Sequence, residues 1–144
     1  MPVLAWMLVI FGASTDLGSA EHTSRFLIPF LHWIHPQISP ASIAVVELMV
    51  RKAAHLTEYA ILAVLLLRAL RANARMSLGR AAAAVLLAAG LYAMTDEFHQ
   101  SFSPARTPAW RDVMIDCAGA TLGLAVSWLV TSRSTKRKLA QARE

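Results

Sequence analysis

From Ala81 to Met94 this chain carries no charged side chain, and the run then closes on Thr95-Asp-Glu-Phe-His-Gln100. A bilayer core offers the backbone no solvent to bond, so a stretch of this kind reads as a helix immersed in lipid. Ionisable side chains at the end of such a helix are costly unless they face protein, water or a partner. A cluster held against that cost is a candidate functional site, and the rest of the chain has to supply its partners.

The composition agrees with a membrane setting. Of the 144 residues 56% are hydrophobic and only 16% charged, against about 45–50% and about 25% in soluble domains. The length allows one domain. The net charge of +5 is unevenly placed. Arg68, Arg71, Arg75 and Arg80 form one basic block, and Arg133, Lys136, Arg137, Lys138 and Arg143 form a basic tail. Both blocks flank apolar segments, where basic residues set membrane orientation, so nucleic acid is not an expected partner. Cys117 is the only cysteine, which excludes an intramolecular disulfide and a cysteine-based zinc site.

Four apolar segments are expected to cross the membrane. The first, Pro2 to Ser14, is short for a hydrocarbon core of about 30 Å, which needs about 20 residues. It lacks a basic leader and a cleavage context, so it reads as a retained span rather than a signal peptide. Thr15 to Ser39 is expected to be a long connection, its apolar part Phe26 to Ile34 interrupted by Pro29 and lying at the interface or re-entering. Ser39-Pro40 has the chemistry of a helix start, with serine as cap and proline in the first turn. That helix is expected to run to about Leu70, with its span in Ala53 to Leu67. The third span is expected over Leu78 to Gln100 and the fourth over Trp110 to Val130, separated by the proline-bounded loop Ser103 to Pro108. The expected architecture is therefore all-α: a four-helix membrane bundle over residues 1–132, with an interfacial or re-entrant segment after the first helix, and a basic tail over 133–144. The positive excess places the second connection and the tail in the cytoplasm. Four crossings then leave both termini cytoplasmic.

This topology brings three sets of ionisable residues to one membrane level, the extracytoplasmic one. Arg51, Lys52, His55, Glu58 and Tyr59 lie at the outer end of the second span; Asp96, Glu97, His99 and Gln100 end the third; Arg111, Asp112 and Asp116 begin the fourth. His55, Glu58 and Tyr59 share a helix face by their i, i+3, i+4 spacing, as do Asp96, His99 and Gln100. Asp112, Asp116, Gly119 and Gly123 form one stripe, whose glycines permit close helix approach within the bundle or a homodimer through Gly119 and Gly123. Lys52, Arg106 and Arg111 are the cations available to the acids, with Arg106 expected to fold back from its loop. The plainest reading of the cluster is a polar knot that only holds helices together, through bonds of roughly 0.6–2 kcal/mol each.

Three blocks in this order carry a resemblance. They are Arg51-Lys-x-x-His55-x-x-Glu-Tyr59, Asp96-Glu-x-His-Gln100-x-Phe-x-Pro-x-Arg106, and Arg111-Asp-x-x-x-Asp116-x-x-Gly119. Together they resemble the VanZ-like family across nearly the whole chain, and Phe11 to Asp16 resembles that family's first-helix exit. The motif positions fall on Lys52, His55, Tyr59, Asp96, Glu97, His99, Gln100, Arg106, Asp112 and Gly119. The chain departs from the pattern at Asp116, where the family often has asparagine. The resemblance implies a multi-pass protein of the bacterial cell membrane, in a family whose namesake is linked to low-level teicoplanin resistance; it implies no particular reaction.

The leading expectation is a membrane protein, not an enzyme and without a cofactor, whose patch binds head groups of amphiphiles such as lipid-linked wall precursors or lipoglycopeptide antibiotics. Charge-assisted bonds to phosphate or sugar hydroxyls would hold the head group. One alternative is a metal-dependent hydrolase, with a divalent ion on His55, Asp96, His99 and Asp112, joined by Glu58. A weaker alternative is a proton-coupled transporter built on the acids and histidines.

Overall fold

The computed structural model describes residues 2–15, 20–73, 76–102 and 110–141. Five helices follow one another: α1 (Pro2–Ala13), α2 (Ala20–Ile34), α3 (Pro40–Asn73), α4 (Leu78–Gln100) and α5 (Trp110–Gln141). Three of them, α3, α4 and α5, are long and apolar enough to cross a membrane. At 12 residues, α1 rises only about 18 Å.

The expected start of α3 is realised. Ser39 Oγ accepts the backbone N–H of Ser42 at 3.1 Å, and Pro40 occupies the first turn, where its missing N–H costs nothing. The α4 bounds coincide with the expected third span. Two expectations need correction. Within the expected connection residues 20–34 form a helix, which continues through Pro29 instead of being interrupted there. A proline removes one i→i−4 bond, but the surrounding turns retain theirs, and a hydrogen bond between Ser24 and Glu47 fastens α2 to α3. The other concerns the fourth segment, which does not stop at Val130: α5 runs on to Gln141, so most of the basic tail continues the helix. Arginine and lysine are good helix formers, and no glycine or proline intervenes after Gly123.

Packing is narrow and made of small residues. On α4 the buried positions Ala81, Val85, Ala89 and Ala93 recur every four residues, and Asp96 and Gln100 prolong the same face. The α3 side of the core is Tyr59, Leu62, Ala63 and Leu67. The most extensive helix pair is α3 with α5, and two glycines explain its closeness. A Cβ at Gly119 would overlap the carbonyl oxygen of Leu56, and one at Gly123 would overlap that of Ala60. The glycine stripe therefore faces α3 of its own chain. A homodimer through Gly119 and Gly123 would need the face they already give to that helix. Lys52 meets Asp112, His55 meets Asp116, Leu56 meets Gly119 and Ala60 meets Gly123, so α3 and α5 run in the same direction. Large apolar side chains such as Leu87, Met94, Met114 and Val130 point outward, as lipid-facing residues do.

The short helix α1 leans on one end of this bundle. Trp6 Nε1 donates to the Glu58 carbonyl at 2.9 Å, Tyr92 Oη donates to the Met7 carbonyl at 2.7 Å, and Ser14 Oγ donates to Asp96 at 2.8 Å. These contacts place Ser14 beside the C-terminal end of α4, level with the acids.

Candidate functional site

The polar groups meet where α3, α4, α5 and the end of α1 converge. Lys52 forms an ion pair with Asp112, both partly exposed. One turn deeper, His55 Nδ1 lies 3.2 Å from Asp116 Oδ1, with Asp116 fully buried. A single proton between imidazole and carboxyl holds this pair, whichever atom carries it. The two rungs follow from spacing: i, i+3 on α3 faces i, i+4 on α5, and both intervals return to one helix face.

A second group is built around Asp96. Its Oδ2 accepts from Ser14 Oγ at 2.8 Å and from Gln100 Nε2 at 3.0 Å, and Gln100 also reaches Ser14 Oγ at 3.3 Å. Asp96, Gln100 and Ser14 are all buried. Tyr59 is fully buried beneath them, its ring 6.2 Å from that of Tyr92. Glu97 is buried at the end of α4. His99 turns to α1, where its ring lies 4.3 Å from that of Phe11.

Several polar atoms in this region have no hydrogen-bond partner among the described residues. They are Asp96 Oδ1, Asp116 Oδ2, the Tyr59 hydroxyl, Arg51 Nε and His99 Nδ1, each buried. Buried polar atoms are paired in the great majority of cases, and each exception requires a reason such as a ligand or ordered water. Beside them, between α1, α2 and α3, opens a cleft of about 150 Å³ lined by Ser14, Thr23, Arg51, His55 and Glu58 among others. The cleft offers a guanidinium, an imidazole, a carboxylate and two hydroxyls. That set binds polar or phosphorylated groups by charge-assisted hydrogen bonds.

The expected residues are therefore gathered unequally. Lys52, His55, Tyr59, Asp96, Gln100, Asp112 and Asp116 lie in the convergence, with Glu58 on the cleft and Glu97 at the α4 end. Arg111 stands apart: it is exposed, its guanidinium 6.0 Å from the Trp110 ring centroid. Arg106 lies outside the described residues. The alternative metal set is not assembled, because His55 turns to Asp116, Asp112 to Lys52 and His99 to Phe11. Among the described residues, no group of three histidine, cysteine, aspartate or glutamate side chains could hold an ion.

One contributor, Ser14, was not expected; it binds Asp96. Arg51 was expected at this level but not counted among the cations, and it rather than Arg111 supplies a cation to the cleft. The signal for Ser14 was present: Gly12-Ala-Ser-Thr15 puts small polar residues at the exit of an apolar helix. For Arg51, adjacency to Lys52 hid the fact that neighbouring helical positions diverge by about 100°, so one faces α5 and the other the cleft.

A family model described as VanZ/LLP1 matches residues 1–131. No curated protein and no solved structure matches the chain.

Proposed function

The chain belongs to the VanZ/LLP1 family, and from that premise we propose that it is a multi-pass protein of the bacterial cell membrane that binds head groups of amphiphiles at the extracytoplasmic leaflet. The observation that carries this reading is the cleft lined by Ser14, Thr23, Arg51, His55 and Glu58, next to buried carboxylate oxygens of Asp96 and Asp116 that are unpaired among the described residues. Arg51 and His55 would hold the anionic part of a head group, and Glu58 and Ser14 its hydroxyls.

In this reading α1 joins α3, α4 and α5 as the first of four crossings and ends at the polar level, where Ser14 meets Asp96. The α2 helix lies in the interface, with Phe26, Phe30 and Trp33, which are exposed in the chain alone, turned to lipid. The basic block at the end of α3 and the start of α4 and the basic end of α5 keep both termini cytoplasmic. Lipid-linked wall precursors and lipoglycopeptide antibiotics both combine a polar head with an apolar tail, so sequestration of either would contribute to glycopeptide resistance.

The test uses the full chain in nanodiscs and a fluorescent undecaprenyl-pyrophosphoryl sugar as probe. Arg51→Gln and His55→Ala should each weaken binding by about tenfold, the worth of one charged hydrogen bond of about 1.5 kcal/mol, with unchanged membrane insertion. Equal binding by both variants and the parent chain, or no binding by any of them, removes the proposal.

A further inference from the structure

Beyond the His55–Asp116 pair, the seam between α3 and α5 opens into a groove that runs toward Arg68 and Arg71. Its middle part, about 330 Å³, is lined by Leu56, Ala60, Ile61, Val64, Leu122 and Val126 among others, with Gly123 in its wall. It continues into a wider part of about 480 Å³ that shares Val64 and Val126 and ends at Arg68 and Arg71. A side pocket of about 340 Å³ reaches from Arg71 to Trp128 and Leu78. The groove is thus apolar along its length and cationic at one mouth.

We propose that this groove is a binding site for an anionic phospholipid, with one acyl chain along the α3–α5 seam and the phosphate held by Arg68 and Arg71. The proposal is independent of the head-group cleft, because the two sites share no lining residue.

Charge complementarity argues for the occupant. Arg68 and Arg71 are exposed, and neither forms an ion pair among the described residues. The sequence leaves them without acids at this level. No aspartate or glutamate occurs between Glu58 and Asp96, and none between Asp116 and Glu144. Arg80 and Arg133 add to the same basic excess. The donors must come from the guanidiniums, because the neighbouring hydroxyls are engaged: Ser127 donates to the Gly123 carbonyl at 2.9 Å and Thr131 to the Ser127 carbonyl at 2.8 Å. Arginine suits the role, since its planar fork matches a phosphate.

Length argues for the tail. From Leu56 to Arg68 the helix rises about 18 Å, close to the hydrocarbon half-thickness of about 15 Å. An acyl chain whose phosphate sits at Arg68 therefore ends near Leu56, the far end of the groove lining. Basic pockets between membrane helices at the cytoplasmic side recognise anionic lipids by this combination.

The experiment counts lipids retained on the full-length chain by native mass spectrometry, with phosphatidylglycerol and phosphatidylcholine of identical acyl chains as probes. Phosphatidylglycerol should be retained in preference, and Arg68→Gln/Arg71→Gln should lower its apparent affinity about tenfold or more. Val126→Trp fills the groove while leaving both arginines, and should also displace the lipid. Arg80→Gln, which changes a basic residue that does not line the groove, should leave retention unchanged. Equal retention of both lipids overturns the proposal. So does an Arg80→Gln loss as large as that of the double variant, since it would indicate diffuse attraction to a basic end. Retention unaffected by Val126→Trp, or a dimer of the chain that excludes lipid from the seam, overturns it as well.

Discussion

His55 Nδ1 stands 3.2 Å from Asp116 Oδ1 across two helices that run in the same direction. With Lys52 and Asp112 one turn above and Gly119 and Gly123 below, the pair forms part of a continuous seam. Polar and small residues do complementary work in it. The glycines let the backbones approach, and the approach brings the short aspartate side chains within reach of α3.

The first prediction concerns that pair. Asp116→Asn keeps an oxygen acceptor and a donor facing His55 and should change thermal stability in detergent little. Asp116→Leu removes the partner and should lower stability by about 1–2 kcal/mol, the range of interhelical hydrogen bonds in membranes. A double-mutant cycle with His55→Leu should give a coupling of similar size. Strict additivity would show that the two side chains do not act on each other.

Glycine substitutions should separate by position. Gly119→Ala and Gly123→Ala each place a methyl on a backbone carbonyl of α3, so the helices must part, at a cost of about 1–3 kcal/mol. Gly79→Ala meets nothing within 4 Å and should be neutral or stabilising by up to about 1 kcal/mol through helix propensity. Unfolding in a graded detergent series measures all three, and equal effects would contradict the seam.

Ser14 is the link between α1 and the acids. Ser14→Ala removes a buried hydroxyl from Asp96 and Gln100 and should destabilise by about 1–2 kcal/mol. The readout specific to this contact is hydrogen exchange, which should rise in residues 2–13 and leave the α3–α5 seam protected. Uniform exchange throughout the chain would assign Ser14 a different role.

Sidedness is tested by labelling single cysteines in a Cys117→Ala background. A cysteine at Ser101 should react with an impermeant maleimide from outside intact cells, and one at Ser134 only after permeabilisation. The reverse pattern would invert the leaflet assigned to the cleft.

Much of this architecture was legible because lipid imposes simple rules on a chain. Leu78 to Gln100 emerges with its expected bounds, since an uncharged run flanked by polar residues has one favourable register. The co-location of Lys52, His55, Asp96, Asp112 and Asp116 followed from alternating the long helices across one membrane. Three things did not follow. Residues 20–34 fold as one helix despite Pro29, because a single lost bond is outweighed by the turns around it. The extension of α5 to Gln141 was concealed by charge, which ends a span but not a helix. The departure of Arg111 and His99 from the network depends on rotation about each helix axis, and spacing within one helix does not set its rotation against the others.

The same-direction pairing of α3 and α5 bears on how the chain is made. Two helices of like polarity cannot be neighbours in synthesis, because α4 must be laid down between them. Until the ribosome has delivered Trp110 to Gly123, Lys52 and His55 face the bilayer or the translocation machinery without their counterparts. Burial of Asp116 and the pairing of Lys52 and His55 are therefore a single late event, and a nascent product halted after Gln100 carries an open polar flank on α3.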